Sequence, residues 1–315
     1  MAGPANARLD DAGNRLYAWE GRGYLEEFYS VTTLIDLGVP KYLVPWAVKL
    51  VAELALADVR QHGKRALRRW EKAGRTYVAE LQAAGALRSI KAEKLSADAF
   101  VLRWLKGEPD RVRDAAAARG SAVHAASEDL VLASVREASE ALVEGQALPE
   151  WPDEIRPRME SFVRFVRDFR PRYEAAEATV YNRSQAYAGT LDAVVRLPAG
   201  LTIVDYKTGN QVYAEVALQL AAYARGEFVG GPDKVTEHPM PAIERAAVLH
   251  LAPASPRNPL GYAFRPVEIG EPVYRAFLFA REVARWRLET AKTVLGQPIA
   301  PDPVDAPVAS LEGVA

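Results

Sequence analysis

The chain has 315 residues, enough for one large domain or two small ones, and its 49% hydrophobic and 26% charged content suits a soluble globular protein with a sizeable buried core. Forty basic against 41 acidic residues leave a net charge of −1, so a nucleic-acid partner could be met only by local basic surfaces. Cysteine is absent, which excludes disulfides, a catalytic thiol, cysteine-held zinc and a cysteine-held iron–sulphur cluster.

Residues 1–15 are polar, lack the apolar core of a signal peptide and read as a flexible leader. Residues 16–116 read as a helical N-terminal region. Its periodic apolar positions open at Trp46, Val48, Leu50, Val51 and Leu54, and helical patterning continues to about Leu148, which predicts four or five helices. Lys64, Arg65, Arg68, Arg69 and Lys72 fall on one helical stripe, and Arg156 to Arg172 holds six more arginines. Such runs serve either as solvated helix faces or as contacts to a phosphate backbone.

Near Pro171 the character changes. Stretches 177–183, 187–197, 201–207, 243–251 and 261–268 are short, rich in Val, Ile, Leu and Tyr, and bounded by Gly, Pro or Asn, as strands are. An amphipathic helix over about 213–225 separates the third from the fourth, and a long helix runs from Glu271 to Leu295. The order predicts an α/β (or α+β) domain over 117–296: a mostly antiparallel sheet with helices, preceded by the helical part. Residues 297–315, rich in Pro, Ala and Val, read as a disordered tail. No apolar run approaches the ~20 residues of a membrane span, so a cytoplasmic protein with no membrane contact is expected.

The chemistry concentrates around a hairpin. Leu197-Pro198-Ala199-Gly200-Leu201 separates two apolar runs, and its Pro and Gly mark a tight turn centred near residues 198 and 199. Symmetric pairing about that centre sets Asp192 opposite Asp205, with about 5 Å between Cβ atoms. Both aspartates lie among apolar residues, where an unpaired charge is costly. Lys207, two residues after Asp205, shares its face and supplies one positive charge against two negative ones. A divalent cation would supply the rest, and hard oxygen ligands favour Mg²⁺ or Mn²⁺. Alone, Asp-x-Lys on a strand is an ordinary salt bridge, but further polar residues fall in suitable places. Gln219 and Tyr223 stand one turn apart on the following helix. In Gly120-Ser121-Ala122-Val123-His124-Ala125-Ala126-Ser127-Glu128, His124 and Glu128 are one turn apart and can ligate a metal or bond each other. Glu177 opens the first strand as an outer carboxylate, expected to be exposed.

This order of motifs resembles the PD-(D/E)XK nuclease superfamily and, within it, the RecB-like exonucleases of bacteria and phages. The likeness spans about residues 117–225. Gly120 to Glu128 is similar to the group's first motif, Gly189-Thr190-Leu191-Asp192 to its aspartate motif and Val204-Asp205-Tyr206-Lys207-Thr208-Gly209 to its Asp-x-Lys motif. Gln219-Leu220-Ala221-Ala222-Tyr223 looks like the Gln-x-x-x-Tyr motif of the RecB-like branch. Ser30-Val31-Thr32-Thr33-Leu34 followed by Leu43-Val44-Pro45-Trp46-Ala47 is similar to the N-terminal region of phage-type members. Leu191 stands where the superfamily name has Pro, and without cysteine the chain would fall in a branch that lacks the iron–sulphur cluster.

The resemblance implies a restriction-endonuclease-like mixed sheet flanked by helices. It implies Mg²⁺, replaceable by Mn²⁺, held by Asp192, Asp205, the backbone carbonyl of Tyr206 and His124, with Lys207 acting on water and Gln219 and Tyr223 positioning the lysine or the DNA. Glu128 and Glu177 are accessory candidates. A Mg²⁺-dependent DNA exonuclease of recombination, repair or end processing is thus expected, with DNA and a recombinase, a single-strand annealing protein or a helicase as partners. The alternatives are a structure-specific or restriction-type endonuclease, a non-catalytic DNA-binding subunit of the same fold, and a metal hydrolase of small phosphates. No G-x-x-x-x-G-K-[ST] loop occurs, so unwinding would fall to another protein.

Overall fold

The computed structural model describes residues 7–39, 43–85, 95–136 and 149–299. It is a mixed α/β structure whose curled sheet is flanked by helices. Three N-terminal strands, β1 (Ala7–Leu9), β2 (Arg15–Trp19) and β3 (Glu26–Ser30), form an antiparallel meander ahead of any helix. The helices α1 (Val31–Gly38), α2 (Leu43–His62), α3 (Arg65–Ala83), α4 (Ala97–Arg136) and α5 (Arg156–Phe169) follow. Then come β4 (Arg172–Asn182), β5 (Tyr187–Leu197), β6 (Gly200–Lys207), α6 (Val216–Tyr223), β7 (Phe228–Gly230), β8 (Glu237–Pro239), β9 (Arg245–Leu251), β10 (Tyr262–Val267) and α7 (Glu271–Arg285).

Several expectations need correction. Residues 7–9 are not a loose leader but an edge strand paired with β2, closed by a turn in which Asp10 accepts hydrogen bonds from the Ala12 and Asn14 N–H groups. The region from residue 16 opens with two strands, because Tyr17, Trp19 and Phe28 point into a buried aromatic cluster with Tyr181 and Phe228. Helical patterning from Leu43 yields three described helices rather than four or five, because residues 97–136 form one helix with Pro109 inside it. Residues 137–148 and 300–315, and with them most of the expected tail, lie outside the described residues. The last helix stops at Arg285 and continues as one π-helical turn, Trp286–Thr290. No helix among the described residues is long and apolar enough to cross a membrane.

The sheet is mixed. Hairpin β5–β6 pairs Leu197 with Gly200 and Ala193 with Val204, the register that the Pro198–Ala199 turn predicts. A parallel β6–β9 pair, with antiparallel β10 beyond it, extends the sheet on one side. Strand β4 lines the other edge of β5 along its length and leads to β7 and β8. Helices α1, α6 and α7 cover one face through Leu34, Leu220 and Phe277, and the C-terminal half of α4 with α5 covers the other through Val123, Phe162 and Phe165. Burial of these two stripes is what drives the layers together.

One detail of the pairing positions the site. Only Tyr187 and Ala188 of β5 pair with β3, and only 193–197 pair with β6, so residues 189–192 have no strand partner on that edge. The sheet forks there, with β3 leaving on one side of the gap and β6 on the other.

The meander is fastened to the core by Arg183, whose guanidinium lies 2.9 Å from Glu26 and 2.5 Å from Glu237 and stacks 4.4 Å above the Phe228 ring. Arg183 and Glu26 side chains are each only 13% exposed. Arg183→Ala would leave Glu26 half-desolvated and alone, and we expect a loss of about 2 kcal/mol, less than for a fully buried pair because Glu237 stays partly in water. A urea midpoint for Arg183→Ala within error of the parent would contradict this account of the meander.

Candidate active site

Asp192 occupies the gap in the sheet. Its Oδ2 accepts the Tyr206 backbone N–H at 2.5 Å, so the side chain takes the ladder position that a strand partner would have held. Its Oδ1 lies 3.3 Å from His124 Nδ1. The other ring nitrogen, Nε2, lies 3.0 Å from the Tyr206 carbonyl, which ties α4 to β6 through one imidazole.

Asp205 is the next step along the hairpin register from the Ala193–Val204 pair, on the part of β6 that has left β5 and pairs with β9. It is 3% exposed. Lys207 Nζ stands 2.6 Å from Asp205 Oδ2, an ion pair that still leaves this buried oxygen without a hydrogen bond of ordinary geometry. From the opposite side Lys207 donates to Gln219 Oε1 at 3.5 Å, and Gln219 Nε2 donates to the Tyr223 hydroxyl at 3.3 Å. Tyr223 is buried hard against Gly189. A Cβ on Gly189 would lie 2.5 Å from the Tyr223 ring, so glycine is required there by close approach rather than by backbone conformation. Residues from helices on the two faces of the sheet, His124 and Gln219, therefore reach one site through the fork.

Glu177 was expected to be exposed, and the structure corrects this. Its side chain is 27% exposed and its Oε1 lies 3.9 Å from His124 Nδ1. A register shift between Tyr173 and Ala175 is the cause, since it moves Glu177 rather than Ala176 opposite Asp192. Glu177 also has φ 47°, a left-handed conformation that costs a residue with a Cβ roughly 1–3 kcal/mol and that clusters at functional sites. No sequence signal marks this bulge. Glu128, one turn beyond His124, is partly buried and lies outside the tight group.

His124, Glu177 and Asp192 each offer a ligand atom within 4.8 Å of the others. Asp205, which the motif resemblance counts among the ligands, is not in this compact trio and is turned to Lys207. The charges are mutually dependent. Burial opposes an imidazolium at His124, but Asp192, Glu177 and Asp205 outweigh it and raise the pKa to about 9. Burial also presses Asp192 upward, yet the charge and hydrogen bond of His124 hold it below the ordinary carboxylate value. Glu177 is pushed up to about 7 by burial and by Asp192, and Asp205 to about 6 by burial and Asp192 against the pull of Lys207. Three carboxylates thus compete for Lys207 and one imidazolium, and a divalent cation fits this set: hard oxygens, one imidazole nitrogen and an under-bonded buried oxygen. His124 would hold a cation here only as the neutral imidazole, so its proton would have to leave on binding.

The basic surfaces fall elsewhere. Lys64, Arg65, Arg68, Arg69 and Lys72 are exposed at the start of α3, although Arg69 is engaged by His62 and Asp58. Gly74 and Tyr77 of α3 pack on Phe100 and Trp104 of α4, so the stripe lies beyond the N-terminal end of α4. Phe100 and His124 are separated by about 36 Å of helix at 1.5 Å per residue. Within the second run, Arg156 pairs with Asp153, Arg172 pairs with Glu174, and Arg164 donates to the carbonyls of Pro259 and Leu260.

Ser30, in the N-terminal segment, caps α1 by accepting the Thr33 N–H at 2.9 Å, and β3 delivers this turn beside Ala188, next to the gap. Thr190, inside the gap, meets the Tyr17 hydroxyl at 3.1 Å and Thr179 at 3.2 Å.

No curated protein matches the chain. A family model does match its middle: residues 113–226, from the exposed centre of α4 through His124, Glu177, Asp192, Asp205, Lys207, Gln219 and Tyr223 to just past the end of α6, are similar to the PD-(D/E)XK nuclease superfamily.

Proposed function

We propose that the protein is a metal-dependent deoxyribonuclease that works as an exonuclease, with Mg²⁺ as its cation and Mn²⁺ able to replace it. The observation that carries this reading is Lys207, an ammonium held between a buried carboxylate and Gln219 at the fork of the sheet. A structural salt bridge would need neither the glutamine relay nor the surplus of carboxylates around it. Asp192, Asp205 and the Tyr206 carbonyl are the residues that would hold the cation, with His124 and Glu177 completing the set. Bound there, it supplies charge neutralisation on the phosphoryl oxygens and lowers the pKa of water.

The chain's own groups do the rest. Lys207 orients the attacking water and stabilises the charge that builds on the phosphate as the P–O bond breaks. Gln219 gives the ammonium a second partner beside Asp205, and Tyr223 in turn holds Gln219. Asp192 keeps β6 at its distance from β5 through the Tyr206 N–H. His124 joins the Tyr206 carbonyl to Asp192 and so sets the backbone that carries the ligands. The Gln219-x-x-x-Tyr223 pair, typical of the RecB-like branch, supports the exonuclease reading and a role in recombination, repair or end processing beside a recombinase, annealing protein or helicase.

Lys207→Ala is expected to reduce cleavage of linear duplex DNA by about 10³-fold or more while DNA binding in Ca²⁺ persists. Equal turnover by the variant and the parent, in Mg²⁺, would remove the assignment. Asp192→Asn and Asp205→Asn should abolish cleavage, and EDTA should stop the parent enzyme until Mg²⁺ or Mn²⁺ is returned. Glu177→Gln should weaken the metal response, read as a higher Mg²⁺ concentration for half-maximal rate. Closed circular DNA discriminates the mode of action: resistance is expected, and linearisation of circles would make the protein an endonuclease on the same site. Finally, a duplex shorter than about 10 base pairs cannot reach from the site to the α3 stripe at 3.4 Å per step. Arg68→Ala with Arg69→Ala should accordingly lower the salt dependence of binding on long duplexes alone. An unchanged salt slope on long DNA would exclude the stripe from phosphate contact.

A further inference from the structure

Where β6 ends, two arginines flank its last residues. Helix α4 approaches so closely at Gly120 that a Cβ there would lie 3.2 Å from Thr208 Oγ1, and the neighbouring Arg119 is exposed at that crossing. From α5, the half-buried Arg158 donates its Nε–H to the Thr208 carbonyl at 3.3 Å. The next carbonyl, that of Gly209, is held 2.7 Å from His250 Nε2, so the strand exit is pinned from three elements. Burial, and after it the charge of Arg119, press against the cationic form of Arg158.

Like charges are held together at a cost unless something negative comes between them. Arg111, Arg113, Arg156 and Arg172, on the same stretch of chain, are ion-paired with Glu108, Asp110, Asp153 and Glu174. Among the described residues, Arg119 and Arg158 have no carboxylate at ion-pair distance. With Nε committed to Thr208, the two Nη groups of Arg158 remain for a fork-like contact with a tetrahedral anion. Thr208 directly follows Lys207, so an anion bound here lies at the residue next to the lysine.

We propose that Arg119 and Arg158 form a clamp for a DNA backbone phosphate adjacent to the scissile one, on the α4–α5 side of the site. The clamp rests on the nuclease reading and gives it a means of setting register: the strand is gripped beside the lysine, and the neighbouring phosphodiester is presented to the carboxylates.

The test is the dependence of duplex binding on KCl concentration, measured by fluorescence anisotropy with Ca²⁺ in place of Mg²⁺. Losing one neutralised phosphate lowers the slope of log K against log salt by about 0.9. That decrease is expected for Arg119→Ala with Arg158→Gln, while Arg158→Lys, which keeps the charge, should keep the slope. Arg119→Ala alone alters only an exposed helical position and should lower the slope in part, which keeps the measurement available if Arg158 variants fold poorly. Arg172→Ala removes the same charge from a residue paired with Glu174 and should leave the slope as it is. A double variant with the parental slope overturns the clamp, as does an equal decrease in Arg172→Ala. If the parent cleaves DNA, Lys207→Ala does not, and the double variant keeps the slope, the clamp alone falls. A parent that neither binds nor cleaves DNA takes both proposals down together.

Discussion

Three carboxylates meet at a fork in the sheet, and much of the architecture can be understood as what keeps them there. Asp192, Asp205 and Glu177 would repel one another and draw in water if left exposed, or become protonated if simply buried. Instead each is constrained by a different element: Asp192 by the Tyr206 N–H and His124, Asp205 by Lys207, and Glu177 by a bulged, left-handed backbone. The neutralising groups come from α4 and from β6 itself. The fold thus assembles a site that is short of positive charge, the electrostatic condition for taking up a divalent cation.

The fork explains why helices on both faces can serve one centre. A continuous sheet would separate α4 from α6 by its full thickness. Because residues 189–192 lack a partner, the Asp192 side chain completes the missing ladder contact; His124 reaches Asp192 and the Tyr206 carbonyl, and the Lys207–Gln219–Tyr223 chain reaches the neighbouring Asp205. Gly189 is part of the same arrangement, since the Tyr223 ring occupies the space a side chain would need. The meander of β1–β3 is also more than an appendage. Strand β3 pairs with the start of β5 and forms one lip of the gap, and Tyr17 reaches Thr190 inside it.

Charge outside the site is distributed by the same logic. Most arginines near the core are spent on carboxylates or carbonyls, which is the ordinary fate of a guanidinium on a protein surface. The α3 stripe is carried away from the site by the long α4, whose exposed centre bridges two packed regions. Arg119 and Arg158 differ in lying at the exit of β6 without an acid partner among the described residues.

The spacing of residues by itself determined the hairpin. Pro198 and Gly200 mark its turn and with it the register from Leu197–Gly200 to Ala193–Val204, and the period of two sets Asp205 and Lys207 on one face with no knowledge of the rest of the chain. Gln219 and Tyr223 were legible for a similar reason, because helical spacing is local. Tertiary structure alone decided what depends on contacts distant in sequence. The strands β1–β3 are not legible in the sequence because short, two-sided segments such as Arg15–Trp19 become strands through the aromatic cluster they complete with Tyr181 and Phe228. Glu177 is not marked by the sequence because a one-residue bulge, invisible to a pattern of alternation, brings it into the position opposite Asp192 that Ala176 would otherwise hold. Where the basic stripe lies relative to the site likewise follows from which end of α4 receives α3, a packing choice made by Gly74 and Tyr77 rather than by the arginines themselves. Local periodicity sets which side chains share a face; long-range packing sets what that face meets.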